Sequence, residues 1–402
     1  MRISTQSFFD QNVAGMGSLQ LQLFRTQQKM AAGTRFLTPS DDPVAAARAL
    51  GVGQSMAETA QYATSRSRTQ QSLSNEENAL GTVTTILQNV KTSIVSAGNG
   101  TLADADRASL ANVLKSNFDQ LMGVANTDDG NGQYLFAGYK SGSQPFVLQA
   151  GGAVSYAGDQ GQRLMQVDVS RQMAAADDGR TVFQSVQGGA GYVTSDTPGN
   201  TGTGVFGTVG VVDRTAPDYG KDFTISFAGG NYTVATQEAP PVTVATGAFV
   251  PGTPIAFGGV QISISGTPAN GDSFQVATAQ NAGTDVFGAM SDLIASLQNP
   301  TTGNAAAQAQ LLNALSTASV KITNTYDNVL TVRSSVGSRL AELDTLDASG
   351  ASRSVADQSY LSQLTGLDYA GAISEFSQRQ TALQATQQTF AQLSGLALFK
   401  YL

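Results

Sequence analysis

The stretch Leu73-Ser74-Asn75-Glu76-Glu77-Asn78-Ala79-Leu80-Gly81-Thr82-Val83-Thr84-Thr85-Ile86-Leu87-Gln88-Asn89-Val90-Lys91-Thr92-Ser93-Ile94 decides the reading of this chain. Leu73, Leu80, Leu87 and Ile94 fall seven apart, with Val83 and Val90 beside them. A period of seven marks a helix that packs along other helices. Nothing in the sequence before it breaks a helix back to Val44, so the spacing predicts one from Val44 to Ala97, ~80 Å long at ~1.5 Å per residue. Gly98-Asn99-Gly100 supplies the stop, since Gly and Asn accept the left-handed conformation at a helix end. A helix of that length needs long partners.

The flanks supply candidates. Upstream, Phe9, Met16, Leu23 and Met30 are again seven apart, with Val13 and Leu19 alongside. Between that helix and the next stands Thr38-Pro39-Ser40-Asp41-Asp42-Pro43. This is read as a helix start rather than a carboxylate metal site: Ser or Asp caps free N–H groups, and Pro is preset for the first turn. Downstream, Leu110, Leu114, Phe118 and Leu121 define a third helix over about Ala103–Asn126. Near the other end, Leu311, Leu315, Ile322, Val329, Val336 and Leu343 predict a long helix from Asn304 to Leu346, with a turn at Gly350. A last helix carries Tyr369, Phe376, Leu383, Phe390 and Ala397 seven apart, with Ile373 and Leu393 alongside. Gln380 and Gln387 stand where a strong seam would have Leu, so this helix needs a partner.

Composition separates the middle from these flanks. Residues 141–283 hold 24 of the 43 Gly and 8 of the 11 Pro, residue types that punctuate turns and are kept out of helix interiors. Phe223-Thr224-Ile225-Ser226-Phe227 and Tyr232-Thr233-Val234 alternate by two around Gly229-Gly230-Asn231, a hairpin pattern. Val260–Ile264 and Phe274–Val276 alternate likewise around a Gly/Pro/Asn turn. The expected fold is therefore mainly α: a long antiparallel coiled coil or helical bundle, built from N- and C-terminal segments, with an inserted all-β domain. The expected division is 1–40 and 365–402 as terminal helices, 41–140 and 284–364 as a long-helix rod, and 141–283 as the insert.

Composition also excludes chemistry. The chain has 402 residues and no Cys, His or Trp. That removes thiol nucleophiles, His-containing triads and Zn sites of N/S type. The formal charge of −8 opposes a dedicated nucleic-acid surface. No apolar run is long enough to predict a membrane span, and Met1-Arg2-Ile3-Ser4 lacks the apolar stretch of a secretory signal. Asp128-Asp129 and Asp177-Asp178 lie beside Gly and read as turn residues. Arg66 and Arg68 are read as solvating the second helix. The Gly-rich insert contains no phosphate loop. No catalytic, cofactor or metal residue is assigned, and no nucleic-acid or membrane partner is expected.

Several segments at the chain ends resemble the flagellin superfamily, in its hook–filament junction branch. They are Met30-Ala31-Ala32-Gly33-Thr34-Arg35 with Pro39–Pro43; Gly132–Tyr139 with Pro145-Phe146; Leu367-Asp368-Tyr369-Ala370 with Ile373-Ser374-Glu375 and Gln380–Ala385; and Leu398–Leu402. The segment Gly271–Val276 resembles the family within the insert. The resemblance implies a structural component of the bacterial flagellum, extracellular after export through the flagellar type III apparatus. It implies a ring-like oligomer, seated between a first junction protein and flagellin. A cytoplasmic chaperone would hold the C-terminal segment before export. On this reading Phe9, Met16, Leu23, Met30, Leu73, Leu80, Leu87 and Ile94 are packing positions. Tyr369, Ile373, Phe376, Leu383, Phe390 and Leu393 form a stripe for chaperone and assembly. A minor filament subunit is the alternative; the Tyr134–Tyr139 segment argues against it. An adhesive insert using Tyr192, Tyr219, Tyr232 and Phe249 is weaker still, because aromatics scattered through β domains are usually core.

Overall fold

A computed structural model describes residues 5–398. In chain order it contains α1 (Thr5–Ala32), α2 (Pro43–Ala97) and α3 (Asp104–Ala125), then the short strands β1 (Phe146–Leu148), β2 (Val154–Tyr156), β3 (Leu164–Asp168) and β4 (Arg171–Ala174). After α4 (Gly179–Phe183) come β5 (Tyr192–Asp196), β6 (Val205–Phe206), β7 (Gly210–Val211), β8 (Phe223–Ala228), β9 (Asn231–Thr236), β10 (Thr243–Ala248), β11 (Pro254–Phe257), β12 (Val260–Ser265) and β13 (Ser273–Thr278). The chain closes with α5 (Val286–Gln298), α6 (Ala305–Thr365) and α7 (Tyr369–Leu398). It divides into two compact units. The terminal unit comprises 1–64 and 345–402, and the central unit comprises 65–344.

In the terminal unit the helix breaks explain themselves. α1 stops where Gly33 takes a φ of 66°, which places Thr34 N–H on the Lys29 carbonyl. α2 starts at Pro43, with the Asp42 carboxylate accepting from Ala45 N at 3.0 Å, as the sequence predicts for a capped start. The other break, at Gly366, faces the first: Arg35 N donates to Thr365 O at 2.8 Å, and Leu367 N to Gly33 O at 3.2 Å. α6 does not turn at Gly350. That glycine is buried within a continuous helix, since a single Gly costs a helix only about 1 kcal/mol relative to Ala. Beyond it Ser55 of α2 still donates to Asp357 of α6, at 3.1 Å.

In the central unit α2 and α6 run antiparallel. Gln70 reaches Asp344 at 3.2 Å, Arg333 Nε reaches Glu77 at 3.0 Å, and Gln88 reaches the Tyr326 hydroxyl at 2.9 Å. The region 141–283 contains two different things. Residues 192–278 form a sandwich of a five-stranded antiparallel sheet, in the order β10-β9-β8-β13-β5, and a second sheet of β11-β12-β6 with β7 also on β12. Its core is apolar and aromatic, including Phe223, Phe227, Phe257 and Phe274. The β8–β9 and β11–β12 hairpins both close on Gly-Gly pairs with positive φ at both positions, the geometry whose twist matches paired strands. β12 and β13, read as neighbours across one turn, enter different sheets. Chain entry and exit meet at a neck, where Ala279 N donates to Gly191 O at 2.9 Å.

Residues 146–183 instead join the helical core. Phe146, Phe183 and Phe287 have ring centroids 5.1–5.9 Å apart, with Phe136 against Phe183 and Phe118 against Phe287. Phe287 lies on α5, a helix the sequence reading left inside an unassigned part of the flank.

Candidate assembly surfaces

α1 and α7 lie antiparallel in the terminal unit. The rings of Phe9 and Phe390 are 4.9 Å apart, Arg379 donates to Gln22 O and Thr26 Oγ1 at 3.1 and 3.0 Å, and the Tyr369 hydroxyl reaches Met30 O at 3.3 Å. The pair does not bury its apolar residues. Phe9 is half-exposed, and Met16, Leu23 and Met30 are only partly covered. On α7, Tyr369 and Ile373 are half-exposed, while Phe376, Leu383 and Phe390 are partly covered. The side chain of Leu393 and the terminal residues 399–402 lie outside the described residues. Leu21, Phe24, Val44, Leu50 and Val355 add exposed apolar surface. Among the described residues of this unit, the only fully buried apolar side chains are Ala45 and Ala372. Large apolar side chains left open along paired helices in this number mark an interaction site.

The central unit is the opposite case. Leu73, Leu80, Leu87 and Ile94 are all buried, together with Val83, Val90, Ile322, Val329, Val336 and Leu343. Here the structure brings the seven-residue series of α2 into a closed interior shared with α6.

Several polar residues with structural roles carry no local sequence signal. Arg66, read as solvated, is buried, and it donates to Val167 O at 3.0 Å. Of the pair read as turn residues, Asp178 does cap α4, accepting from Thr181 N at 2.9 Å. Its neighbour Asp177 is buried and forms an ion pair with Arg339. Asn313 of α6 fastens the sandwich: its amide nitrogen donates to both Asp196 carboxylate oxygens at 3.0 Å and to Gly204 O at 2.9 Å, while its oxygen accepts from Phe206 N at 3.1 Å. Gln310 and Thr317 on the same helix bond Asn200 O and Thr194 O at 2.7 Å each. Burial pushes the Asp196 carboxyl up to about 6, against the pull of Asn313 and Asn200. Tyr192 lies in the sandwich core, and Tyr219, Tyr232 and Phe249 pack against it, so these aromatics form no open surface row. Among the described residues no helix is long and apolar enough to cross a membrane.

Similarity to known proteins agrees with this geometry. Residues 3–141 match the family of the bacterial flagellin N-terminal helical region. Flagellar hook-associated protein 3 of Salmonella typhimurium is 32% identical over 400 residues, covering 100% of this chain and 99% of that protein. The Escherichia coli protein of the same name is 31% identical over the same length. The crystal structure of Xanthomonas campestris FlgL superposes with a TM-score of 0.68 at 28% identity, covering 77% of this chain and 99% of that one. That of the flagellar junction protein FlgL from Legionella pneumophila gives 0.67 at 27% identity, covering 79% and 100%.

Proposed function

This chain belongs to the flagellar hook-associated protein 3 family, and from that premise we propose that it polymerises at the hook–filament junction of the bacterial flagellum, where it adapts the hook to the filament. The role is structural and includes no catalysis. Its partners are further copies of itself in a ring-like oligomer, a first hook-associated junction protein on one side and flagellin on the other. The observation that carries this reading is the terminal unit: two helix pairs that bury no large apolar side chain among the described residues. Helices of that kind gain stability from tertiary partners rather than from propensity, and in a polymer those partners are neighbouring subunits. On this reading 1–40 and 365–402 form an inner coiled-coil layer and 41–140 with 284–364 a rod; of the insert 141–283, residues 146–183 pack on the rod and the sandwich of 192–278 is the outward part. The direct test is electron microscopy of flagella from a strain lacking the protein. Hooks that end bare, with flagellin free in the medium, support the role; filaments growing from those hooks overturn it.

The α7 stripe of Tyr369, Ile373, Phe376, Leu383, Phe390 and Leu393 serves two partners in sequence. Before type III export it is covered by a cytoplasmic chaperone, because exposed apolar stripes aggregate. In the assembled, extracellular flagellum it packs against α1 and neighbouring copies. Changing Leu383 and Phe390 together to Ser removes two side chains worth about 1.5–3 kcal/mol each when buried, so chaperone affinity falls by about a hundredfold or more. Calorimetric titration against the chaperone reads this directly. Wild-type affinity in the double variant makes the stripe an assembly surface only.

A further inference from the structure

Within the central unit, α2 buries a carboxyl group that the structure does not neutralise. Glu76 is fully buried. Its Oε1 accepts from Asp177 N at 3.1 Å, and its Oε2 is sealed from solvent without a hydrogen-bond partner. Asp177, facing it from the segment before α4, is nine-tenths buried. One guanidinium serves both: Arg339 of α6 forms an ion pair with Asp177 and donates to Ala174 O at 3.1 Å. The other charges nearby are engaged elsewhere. Glu77, the next residue of α2, is bonded by Arg333 of α6; Asp178 caps α4; Glu342 of α6 holds Arg171; and Arg66 of α2 donates to Val167 O.

Two carboxyls, one of them fully buried, share one largely buried guanidinium and carry an uncompensated negative charge if both acids ionise. Buried charge of that kind is expelled by taking up a proton. We propose that Glu76 keeps its proton in the folded protein, and that the neutral carboxyl latches residues 162–183, the segment around Asp177, onto α2 and α6. A neutral carboxyl can seal its orphaned oxygen from water at far lower cost than a carboxylate can. Burial first, and the Asp177 charge second, raise the Glu76 carboxyl well above the ordinary carboxylate range, with Arg339 opposing.

The sign follows from linkage. A glutamate in the unfolded chain loses its proton at about pH 4.3, whereas Glu76 in the folded chain keeps its proton to higher pH. The latch is therefore at full strength below the unfolded value and is lost as pH rises from there through the folded value.

The chain has six glutamates, so selective carbon-13 labelling of their carboxyls gives six signals. One of them should keep its protonated shift to a higher pH than the other five; six titrating in the ordinary acidic range overturn the proposal. Glu76→Gln replaces the protonated carboxyl with a neutral amide. In denaturant unfolding of the full chain, the variant's folding constant relative to wild type should grow as pH rises, by up to tenfold per unit. Hydrogen-exchange protection across 162–183, corrected for intrinsic rates, should fall with pH in wild type and hold in the variant. A ratio that stays constant with pH, or protection that falls equally in both proteins, counts against the latch.

Discussion

The two units of this chain use the same helices, α2 and α6, to opposite ends. Along the central unit the seam residues Leu73, Leu80, Leu87, Ile94, Ile322, Val329, Val336 and Leu343 are all at 6% exposure or less. Along the terminal unit Val44, Leu50 and Val355 of the same two helices stand 63–77% exposed. Charge divides as sharply. The terminal unit has eight basic and eight acidic residues; the central unit has fourteen and twenty-two, so the whole net charge of −8 resides there. A neutral apolar surface suits close packing against copies of itself. An acidic one with a finished interior repels its neighbours and stays soluble. A closed interior and an open apolar surface thus fall on different stretches of continuous helices.

The largest effect that could break this comparison is a deletion. Removing 192–278 and joining Gly191 to Ala279 through a short Gly/Ser linker should leave the helical signal of the central unit intact, because the chain ends already meet at the neck. Removing 141–283 should abolish its cooperative unfolding, since Phe146 and Phe183 leave the aromatic core with it. Circular dichroism and thermal melting separate the outcomes; equal behaviour of the two deletions would dissolve the distinction between sandwich and core segment.

Next in size is a matched pair of truncations. Leu87→Ala in the closed seam should cost ~2–5 kcal/mol of unfolding free energy. Ile373→Ala on the half-exposed face of α7 should cost the isolated chain no more than about 0.5 kcal/mol, while impairing polymerisation. A comparable loss from both would mean that the terminal unit has an interior of its own.

A smaller effect sharpens the contrast through pH. Asp196 sits at about 6 in the folded protein, above its ordinary value, so the folded state binds the extra proton. Its contribution is therefore present in acid and lost as pH rises from about 4 through about 6. Denaturant titrations should show stability of the central unit declining across that window, and Asp196→Asn should flatten the decline. The smallest effect is expected at the exposed Arg35–Asp42 pair: Arg35→Ala should change stability by no more than ~1 kcal/mol, and less at high salt.

What the sequence displayed of this fold was what repeats or punctuates locally. The seven-residue series, the Asp42-Pro43 start, the Gly-Gly hairpins and the break before Tyr369 are each decided by neighbours a few positions away. The rest depends on residues far apart. Glu76 meets Asp177, and Asn313 meets Phe206, only across a separation of more than a hundred positions. Gly350 reads locally as a stop, yet α6 runs through it, since one Gly costs a long helix only about 1 kcal/mol relative to Ala. The open apolar face of α7 was legible in a different way, as apolar positions at helical spacing whose seam is interrupted by Gln380 and Gln387, both exposed. Such a pattern shows that a partner is missing without indicating which one. Motifs at the chain ends, such as Gly132–Tyr139 and Leu367–Ala370, rather than periodicity, pointed to the family, and identity over the full length shows it.

The neck at Gly191 and Ala279 has a mechanical consequence. Because the sandwich leaves and rejoins the chain at one hydrogen-bonded point, its strands are a closed loop off the main chain, steadied at a second place by Asn313, Gln310 and Thr317 of α6. Viscous drag on the sandwich loads β5 and β13 together at adjacent ends, Tyr192 beside Thr278, and those three side chains share the load. A sandwich of another size could leave from the same neck as long as it offered α6 the same edge.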